Sequence, residues 1–232
     1  MTRNPTPKTP PAFPLMLLFI ALLAPHAAAQ GASDVDNTTG SGTAQAAVVE
    51  PYHLEEGMNE WGVWAGGSFD SPTLIGTAEE RKYFTVGLRY GRIFAASKRV
   101  AYEYTADVVP VAVVFQPEFA RAVSRSRDSS VYGAGLAPFG LKVNFNRGGR
   151  LKPFAGGSAG FLYFTRPVPI DVPGATRFNF TFDFGGGVQI FTQARRAVTL
   201  GYKFHHISNA GTSQVNPGLD ANVFYVGYSF FK

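Results

Sequence analysis

The sequence predicts an all-β fold, an eight-stranded antiparallel transmembrane β-barrel of the bacterial outer-membrane type. Three observations predict it: apolar side chains recur with a period of two, short and long connections alternate, and the 232 residues include 21 Phe and 10 Tyr. An outer-membrane barrel requires aromatic residues for its lipid-facing surface and for the girdles at both membrane interfaces. A secreted soluble β-sandwich is the alternative, but its exposed aromatic faces would be adhesive.

The clearest alternation lies in the segment RFNFTFDFGGG. Phe178, Phe180, Phe182 and Phe184 alternate with polar residues, which puts the four aromatic rings on one face of a strand. A helix would distribute the same residues around its circumference. Strands are predicted at residues 59–69, 81–94, 99–115, 130–145, 151–165, 177–192, 195–208 and 221–231.

The connections between the predicted strands alternate in length. Those after the second, fourth and sixth strands are short (AASK, NRGGR and QA), whereas the connections around 70–80, 116–129, 166–176 and 209–220 are longer. Short periplasmic turns and long extracellular loops are typical of bacterial transmembrane barrels, and an even number of antiparallel strands can close without leaving an edge. We therefore expect the loop at 209–220 to lie outside the cell.

The N-terminal end of the chain has the features of a secretory signal peptide. Arg3 and Lys8 give a basic start without acidic residues, and the apolar stretch AFPLMLLFIALLA that follows is short for a membrane span. Ala27 and Ala29 supply an A-x-A cleavage site, so cleavage is expected after Ala29. The alternative, a retained membrane anchor, is disfavoured by this length and these flanks.

Three regions are therefore expected: a signal peptide at 1–29, a flexible linker at 30–55 and the barrel at 56–232. The linker begins QGASDVDNTTGSGTAQ, a composition of small and polar residues that is typical of flexible segments. The chain is thus expected to be exported through a cleaved signal peptide and to cross the outer membrane several times.

Charge and cysteine content exclude several classes of function. Removing the signal peptide takes away two basic and no acidic residues, so the formal net charge falls from +5 to +3. No Lys/Arg-rich run is present, which argues against a nucleic-acid partner. The absence of cysteine excludes disulfides, thiolate metal sites and cysteine nucleophiles. Carboxylates with calcium spacing and same-face His pairs are also missing, so no metal or other cofactor is predicted.

The segment AVTLGYKFHHIS carries two adjacent histidines. One face of this strand is predicted to hold Val198, Leu200, Tyr202, Phe204, His206 and Ser208, and the other Ala197, Thr199, Gly201, Lys203 and His205. The first face is mainly apolar and should meet lipid, whereas the second is small or polar and should meet the lumen. The barrel wall is therefore expected to separate His206 from His205.

Two acidic residues of the third predicted strand, Glu103 and Asp107, alternate with apolar residues. Their phase places them in the lumen, where a charged group needs a partner of opposite charge. Arg89 and Lys203 are the expected partners, in a structural role.

His206 and Ser208 interrupt the lipid-facing stripe with two polar groups, which are costly in hydrocarbon unless they are partnered or close to the interface. Same-face neighbours on a strand lie about 6.5–7 Å apart, so an imidazole can reach a hydroxyl and act as its base. Asp220 is the nearest acidic candidate for orienting His206. The alternative is that His206 and Ser208 are interfacial polar residues without a catalytic role.

The same segment resembles the active-site region of a known family. HISNAG, followed by NPG and by an acidic residue twelve positions after the serine, is similar to the outer-membrane lipid A 3-O-deacylases, the PagL family. The resemblance covers residues 204–227 and implies an eight-stranded barrel that hydrolyses the ester-linked 3-hydroxyacyl chain at the 3 position of lipid A. It implies Ser208 as nucleophile, His206 as general base and Asp220 as the acid, where the family has Glu.

The resemblance also implies roles for polar groups near the serine. Asn209 and Asn216 match positions that are structural or related to the oxyanion in the family. The backbone from Asn209 through Ala210 to Gly211 is the expected source of oxyanion donors.

A candidate phosphate contact lies in the segment RAVSRSRD. Arg121, Arg125 and Arg127 fall in a predicted extracellular loop, and guanidinium groups suit the geometry of phosphate. The predicted ligands are the phosphates of lipid A. The alternative is an ordinary solvated loop.

With this resemblance, the sequence predicts an outer-membrane serine esterase of lipopolysaccharide remodelling, whose partners are lipid A and the surrounding bilayer. Ser208 would attack the ester, form an acyl-enzyme and release it to water. Two alternatives stay open from the sequence. One is a non-catalytic barrel, either a pore or a structural or adhesive protein. The other is a phospholipase that hydrolyses glycerophospholipid esters.

Overall fold

Eight antiparallel strands form a closed barrel in which each strand pairs with the next and the last pairs with the first. The computed structural model describes residues 52–118, 127–145 and 147–232. The strands are β1 (Asn59–Ser68), β2 (Lys82–Ala96), β3 (Val100–Glu118), β4 (Arg127–Phe145), β5 (Leu151–Phe164), β6 (Phe178–Gln193), β7 (Arg196–Ser208) and β8 (Leu219–Phe231). The predicted eight-stranded fold is confirmed.

The connections are short at one end of the barrel and long at the other, as predicted. We call these the short-turn end and the long-loop end. The long loops follow β1, β3, β5 and β7, and the short turns follow β2, β4 and β6. Among the described residues, no helix has the length and apolar character needed to cross a bilayer.

The two faces of the barrel wall differ as the period of two predicts. On β6, Phe178, Phe180, Phe182 and Phe184 are 37–44% exposed on the outer face, whereas Asn179 between them is buried in the lumen. An outer face of half-exposed aromatic rings suits contact with lipid.

The middle of the lumen is filled by buried charges. The Lys142 ammonium hydrogen-bonds to the Glu60 carboxylate and lies 2.9 Å from Glu103 Oε2. Gln189 and Ser229 also donate to Glu60 Oε1. All five side chains are almost fully buried, and a buried charge requires such partners.

Two further ion pairs extend this network. Arg89 lies directly opposite Asp107 in the β2–β3 register and binds it with two bonds of 2.9 and 2.7 Å. Lys203 lies 2.8 Å from Asp183 on β6. Glu103 and Asp107 are therefore lumenal, and Arg89 is the partner of Asp107, as predicted. The partner of Lys203 is Asp183, which the sequence pattern did not indicate.

Apolar clusters occupy both ends of the lumen. At the long-loop end, Val168 of the β5–β6 loop packs with Tyr83, Ile207 and Leu219. At the short-turn end, the apolar cluster contains Leu54, Ile93, Ala101, Phe191, Ala197 and Phe231. Packed side chains therefore close the lumen at both ends as well as in its middle.

Residues just before the predicted boundary at residue 56 contact the barrel. Leu54 is fully buried, and its N–H donates to the carbonyl of Arg147 at 3.2 Å. Residues next to the boundary thus contact the barrel, since Leu54 completes the apolar cluster at the short-turn end, and the extent of the linker stays a prediction. The predicted signal peptide and the rest of the predicted linker lie outside the described residues.

The buried ion pairs of the lumen lead to a prediction about the free energy of unfolding. Lys142→Met leaves the Glu60 and Glu103 carboxylates buried without their shared cation, which costs about 3–5 kcal/mol. Urea unfolding in lipid vesicles, followed by tryptophan fluorescence, should show this loss in the free energy of unfolding. Lys98→Met removes an exposed lysine from the β2–β3 turn and serves as the control. Equal unfolding free energies for the two variants would contradict a stabilising role for Lys142.

Candidate active site

Strand β7 carries His206 and Ser208 on the outer face of the barrel. Leu200 and Tyr202 on the same face are 47% and 38% exposed. His205 points into the lumen, where its ring stacks on Tyr83 with centroids 5.4 Å apart. The predicted separation of the two histidines by the barrel wall is confirmed.

Strand β8 places an acid directly beside His206. Asp220 is the cross-strand partner of His206 in the β7–β8 register, and the His206 Nδ1 atom lies 2.6 Å from Asp220 Oδ1. With Asp220 ionised, Nδ1 is the donor in this contact, because a carboxylate only accepts hydrogen bonds. The other ring nitrogen, Nε2, is then left with a free lone pair, the form that a general base requires.

The other oxygen of the Asp220 carboxylate is held by the loop between β1 and β2. The backbone N–H groups of Leu74, Ile75 and Gly76 donate to Asp220 Oδ2 at 2.9, 2.7 and 3.0 Å. Successive backbone N–H groups that converge on one anion stabilise its charge. Asp220 is fully buried, and these donors together with His206 satisfy both of its oxygens.

The β1–β2 loop reaches this position because it docks on the end of the β7–β8 loop. Thr77 and Ala78 donate their N–H groups to the carbonyls of Pro217 and Gly218 at 2.6 and 3.1 Å. Gly76 and Gly218 are in close backbone contact, and a Cβ added at Gly76 would lie 2.7 Å from the Gly218 carbonyl carbon. Glycine at position 76 is therefore required for this approach.

The His206 ring is enclosed on several sides. The Phe182 ring lies 5.1 Å away between centroids. Gly218 adopts a positive φ of 65°, and a Cβ added there would lie 3.1 Å from His206 Cε1. His206 is 6% exposed, whereas Ser208 is only partly buried. The imidazole is therefore fixed while the serine two positions further on remains accessible from the outer face.

The β7–β8 loop is organised around Asn209. The Asn209 side chain donates to the Val215 carbonyl at 2.9 Å and accepts from the Gly211 N–H at 2.9 Å. The Asn209 N–H donates to Asn216 Oδ1 at 3.0 Å, and Ala210 has a positive φ of 52°. These contacts bring the predicted polar residues together just after Ser208. Their role in binding an oxyanion stays a prediction.

The β5–β6 loop supports the opposite side of this loop. Val215 N–H and Ser213 Oγ both donate to the Gly174 carbonyl, at 3.0 and 2.5 Å. The buried Arg81 donates to the Pro169 carbonyl at 3.1 Å, and burial lowers the pKa of its guanidinium. Neighbouring loops thus hold the segment after Ser208 on both sides.

The structure does not test the arginines predicted to contact phosphate. Arg121 and Arg125 lie outside the described residues, and of Arg127 the structure describes only its backbone at the start of β4. Phosphate binding by these residues stays a prediction. In the described part of the chain, no group of three or more His, Cys, Asp or Glu side chains could hold a metal ion.

Comparisons with known proteins identify the family and the fold. A sequence model of the lipid A 3-O-deacylase (PagL) family matches residues 82–229. The solved structure of the outer membrane enzyme PagL is similar, with a TM-score of 0.54 and 16% identity over 72% of this chain and 97% of that chain. At this identity the likeness shows the fold, an outer-membrane barrel. The family match includes His206, Ser208 and Asp220.

Other outer-membrane barrels are more distant. Neisserial surface protein A is 13% identical, with a TM-score of 0.46, over 75% of this chain and 97% of that chain. OprG from Pseudomonas aeruginosa is 9% identical, with a TM-score of 0.46, over 78% of this chain and 98% of that chain. No curated protein sequence matches the chain significantly.

The contact between the β1–β2 loop and the β7–β8 loop leads to a prediction about the local order of the β1–β2 loop. Gly76→Ala forces the two backbones apart, so the amides of Leu74 to Gly76 should exchange their hydrogens faster than in the unaltered protein. Hydrogen exchange measured by mass spectrometry on the folded barrel tests this. Thr73→Ala, which changes an exposed side chain in the same loop, should leave the exchange unchanged. Unchanged protection in Gly76→Ala would show that this contact does not order the loop.

Proposed function

Because the chain belongs to the lipid A 3-O-deacylase (PagL) family, we propose that it is an outer-membrane serine esterase. Its proposed reaction removes the ester-linked 3-hydroxyacyl chain from the 3 position of lipid A. The observation that carries this proposal is the His206–Asp220 pair on the outer face of β7 and β8, two residues from the accessible Ser208. A nucleophile, a base and a group that orients the base are the parts that such catalysis needs.

The position of these residues suits a lipid substrate. The site lies on the outer face at the long-loop end, which is extracellular in bacterial barrels. Lipid A occupies the outer leaflet, with its ester bonds just below the headgroups. The acyl chain can therefore lie against the aromatic face of β6, where Phe180 is the cross-strand partner of Ser208, and the lipid need not leave the bilayer.

The chain's own side chains supply each proton transfer. Ser208 Oγ attacks the ester carbonyl as its proton passes to His206 Nε2, and Asp220 stabilises the imidazolium that forms. The imidazolium then protonates the departing sugar oxygen, which leaves the acyl group on Ser208. A water molecule from the interface gives a proton to His206 and attacks the acyl-enzyme. The 3-hydroxy fatty acid leaves, and the proton returns to Ser208.

The shorter acid of this chain is compatible with that role. Asp220 reaches His206 because the two residues are directly opposite each other in the register, and the β1–β2 loop supplies donors to its second oxygen. The additional methylene of Glu is therefore not needed here. The geometry supports Asp220 as the orienting acid.

The oxyanion donors are proposed among the backbone N–H groups of Asn209, Ala210 and Gly211. Two of these N–H groups, those of Asn209 and Gly211, donate to side-chain oxygens of the loop in the structure. A substrate oxygen would take the place of such an acceptor in the tetrahedral intermediate. Asn216, which accepts from the Asn209 N–H in the structure, then orders the loop before the oxyanion forms.

The filled lumen supports an enzyme over a pore. The Lys142 network lies in the middle of the lumen, and apolar clusters occupy both ends. Transport of a solute would require these buried charges to separate, which is costly. The accessible polar group of the proposed site, Ser208, lies on the outer face and not in the lumen.

The decisive test is mass spectrometry of lipid A from a Gram-negative host that expresses the protein. The unaltered chain should remove one 3-hydroxyacyl group, and Ser208→Ala should abolish this loss because no nucleophile remains. Ser97→Ala, in a turn at the other end of the barrel, is the control. Heat-modifiable migration on gels verifies that every variant is folded. Intact lipid A with the folded, unaltered chain would refute the proposal, and lysophospholipid in the same extract would indicate a phospholipase.

Three backbone N–H groups and His206 hold the Asp220 carboxylate. We therefore predict that replacing Asp220 by Glu, the residue of the family, slows deacylation in this chain. Asp220→Glu pushes the carboxylate toward His206 and away from the three backbone donors, so deacylation should slow by about tenfold or more. The initial rate on purified lipid A in detergent measures this. Asp220→Ala should be slower still, because His206 then loses its acceptor. A rate for Asp220→Glu equal to that of the unaltered protein would show that the β1–β2 loop does not restrict the acid.

A further inference from the structure

Two adjacent arginines at the short-turn end, Arg195 and Arg196, lie beside an aromatic cleft. Both are exposed, and neither guanidinium has an ion-pair or hydrogen-bond partner among the residues that the structure describes. The cleft has a volume of about 520 Å³ and is lined by these arginines with Tyr228, Phe230 and Phe231. It is an open site in which two free cations meet apolar walls.

The strand register places Arg196 on the lipid-facing side of the wall. Arg196 is the cross-strand partner of Phe230, and Val198 is the partner of Tyr228. Phe230 and Tyr228 are 49% and 43% exposed on the outer face. Arg196 has the same phase as His206, so its side chain faces the membrane and not the lumen.

The distance along β7 places this cation at the opposite membrane interface from His206. Ten residues separate Arg196 from His206, which is about 33 Å along a strand at 3.3 Å per residue. A strand tilt of about 40° reduces this to about 25 Å along the membrane normal, close to the height of the apolar band of such barrels. Arg196 is therefore expected at the level of the phosphates of the periplasmic leaflet.

Three other basic residues at this end are engaged in the structure. The side chain of Arg150 donates to the Phe191 carbonyl at 2.7 Å, and Arg147 contacts His53. Lys152 donates to two backbone carbonyls. Lys98 and Arg99 of the β2–β3 turn are exposed as well, and the Arg195–Arg196 pair differs from them because it lies beside the aromatic cleft.

We propose that Arg195 and Arg196 bind the phosphate of a glycerophospholipid in the periplasmic leaflet. Guanidinium groups donate two parallel hydrogen bonds to phosphate oxygens, and this geometry favours Arg over Lys. The aromatic walls formed by Tyr228 and Phe230 contact the glycerol and the upper acyl carbons. Charge complementarity selects the phosphate, and the position at the inner interface selects a phospholipid of that leaflet. This proposal is independent of the esterase reaction.

The test is native mass spectrometry of the full mature barrel in detergent, titrated with phosphatidylglycerol. The unaltered protein should bind the lipid saturably. The affinity of the double variant Arg195→Gln/Arg196→Gln should be lower by about tenfold or more, since each basic residue near a lipid phosphate contributes appreciably to the binding free energy. Lys98→Gln/Arg99→Gln, which removes the same charge from the exposed β2–β3 turn, should change the affinity less than twofold. Both variants alter exposed side chains, and heat-modifiable migration verifies their folding.

Two outcomes would overturn the proposal. Equal weakening in both double variants would mean that general attraction to the basic rim, and not this cleft, binds the lipid. Absence of saturable binding by the unaltered protein would mean that the cleft has no phospholipid ligand. An Arg196→Lys variant adds a further readout, because retention of the charge without the paired donors should weaken binding less than the double Gln variant does.

Discussion

The candidate site depends on one cross-strand pair, His206 opposite Asp220. The β7–β8 register sets this pair on the outer face, and a slip of one residue would send Asp220 into the lumen. The same register sets Arg196 opposite Phe230 at the other interface. One ladder of hydrogen bonds therefore orients the polar groups at both membrane surfaces.

Closure of the barrel brings to Asp220 the backbone donors that the β7–β8 hairpin does not itself provide. Because β8 pairs with β1, the loop that leaves β1 can return over the start of β8 and bring Ile75 to Asp220, 145 residues away in the chain. The buried ion pairs of the lumen keep the wall in one arrangement, while the outer face carries the candidate site. The interior is thus structural, and the proposed reaction takes place on the membrane-facing surface, the reverse of an enzyme with an interior pocket.

The strands, their faces and the separation of His205 from His206 were predictable, because a period of two is a local property of the sequence. The association of His206 with Asp220 was predictable from the hairpin. The contribution of Leu74, Ile75 and Gly76 was not, since backbone N–H groups leave no side-chain signature. The packing of Leu54 was missed because one apolar residue after a polar segment gives no periodicity.

The way in which the β1–β2 loop holds Asp220 affects how the protein can evolve. The donors to the carboxylate belong to the backbone, so the side chains of Leu74 and Ile75, 63% and 52% exposed, are not restricted by that contact. Substitutions there can alter the exposed surface of the β1–β2 loop while the backbone donors to Asp220 persist. Only Gly76, pressed against Gly218, is restricted by its neighbours. The proposed esterase could therefore adapt to lipids with different acyl chains through mutations that leave His206, Ser208 and Asp220 unchanged.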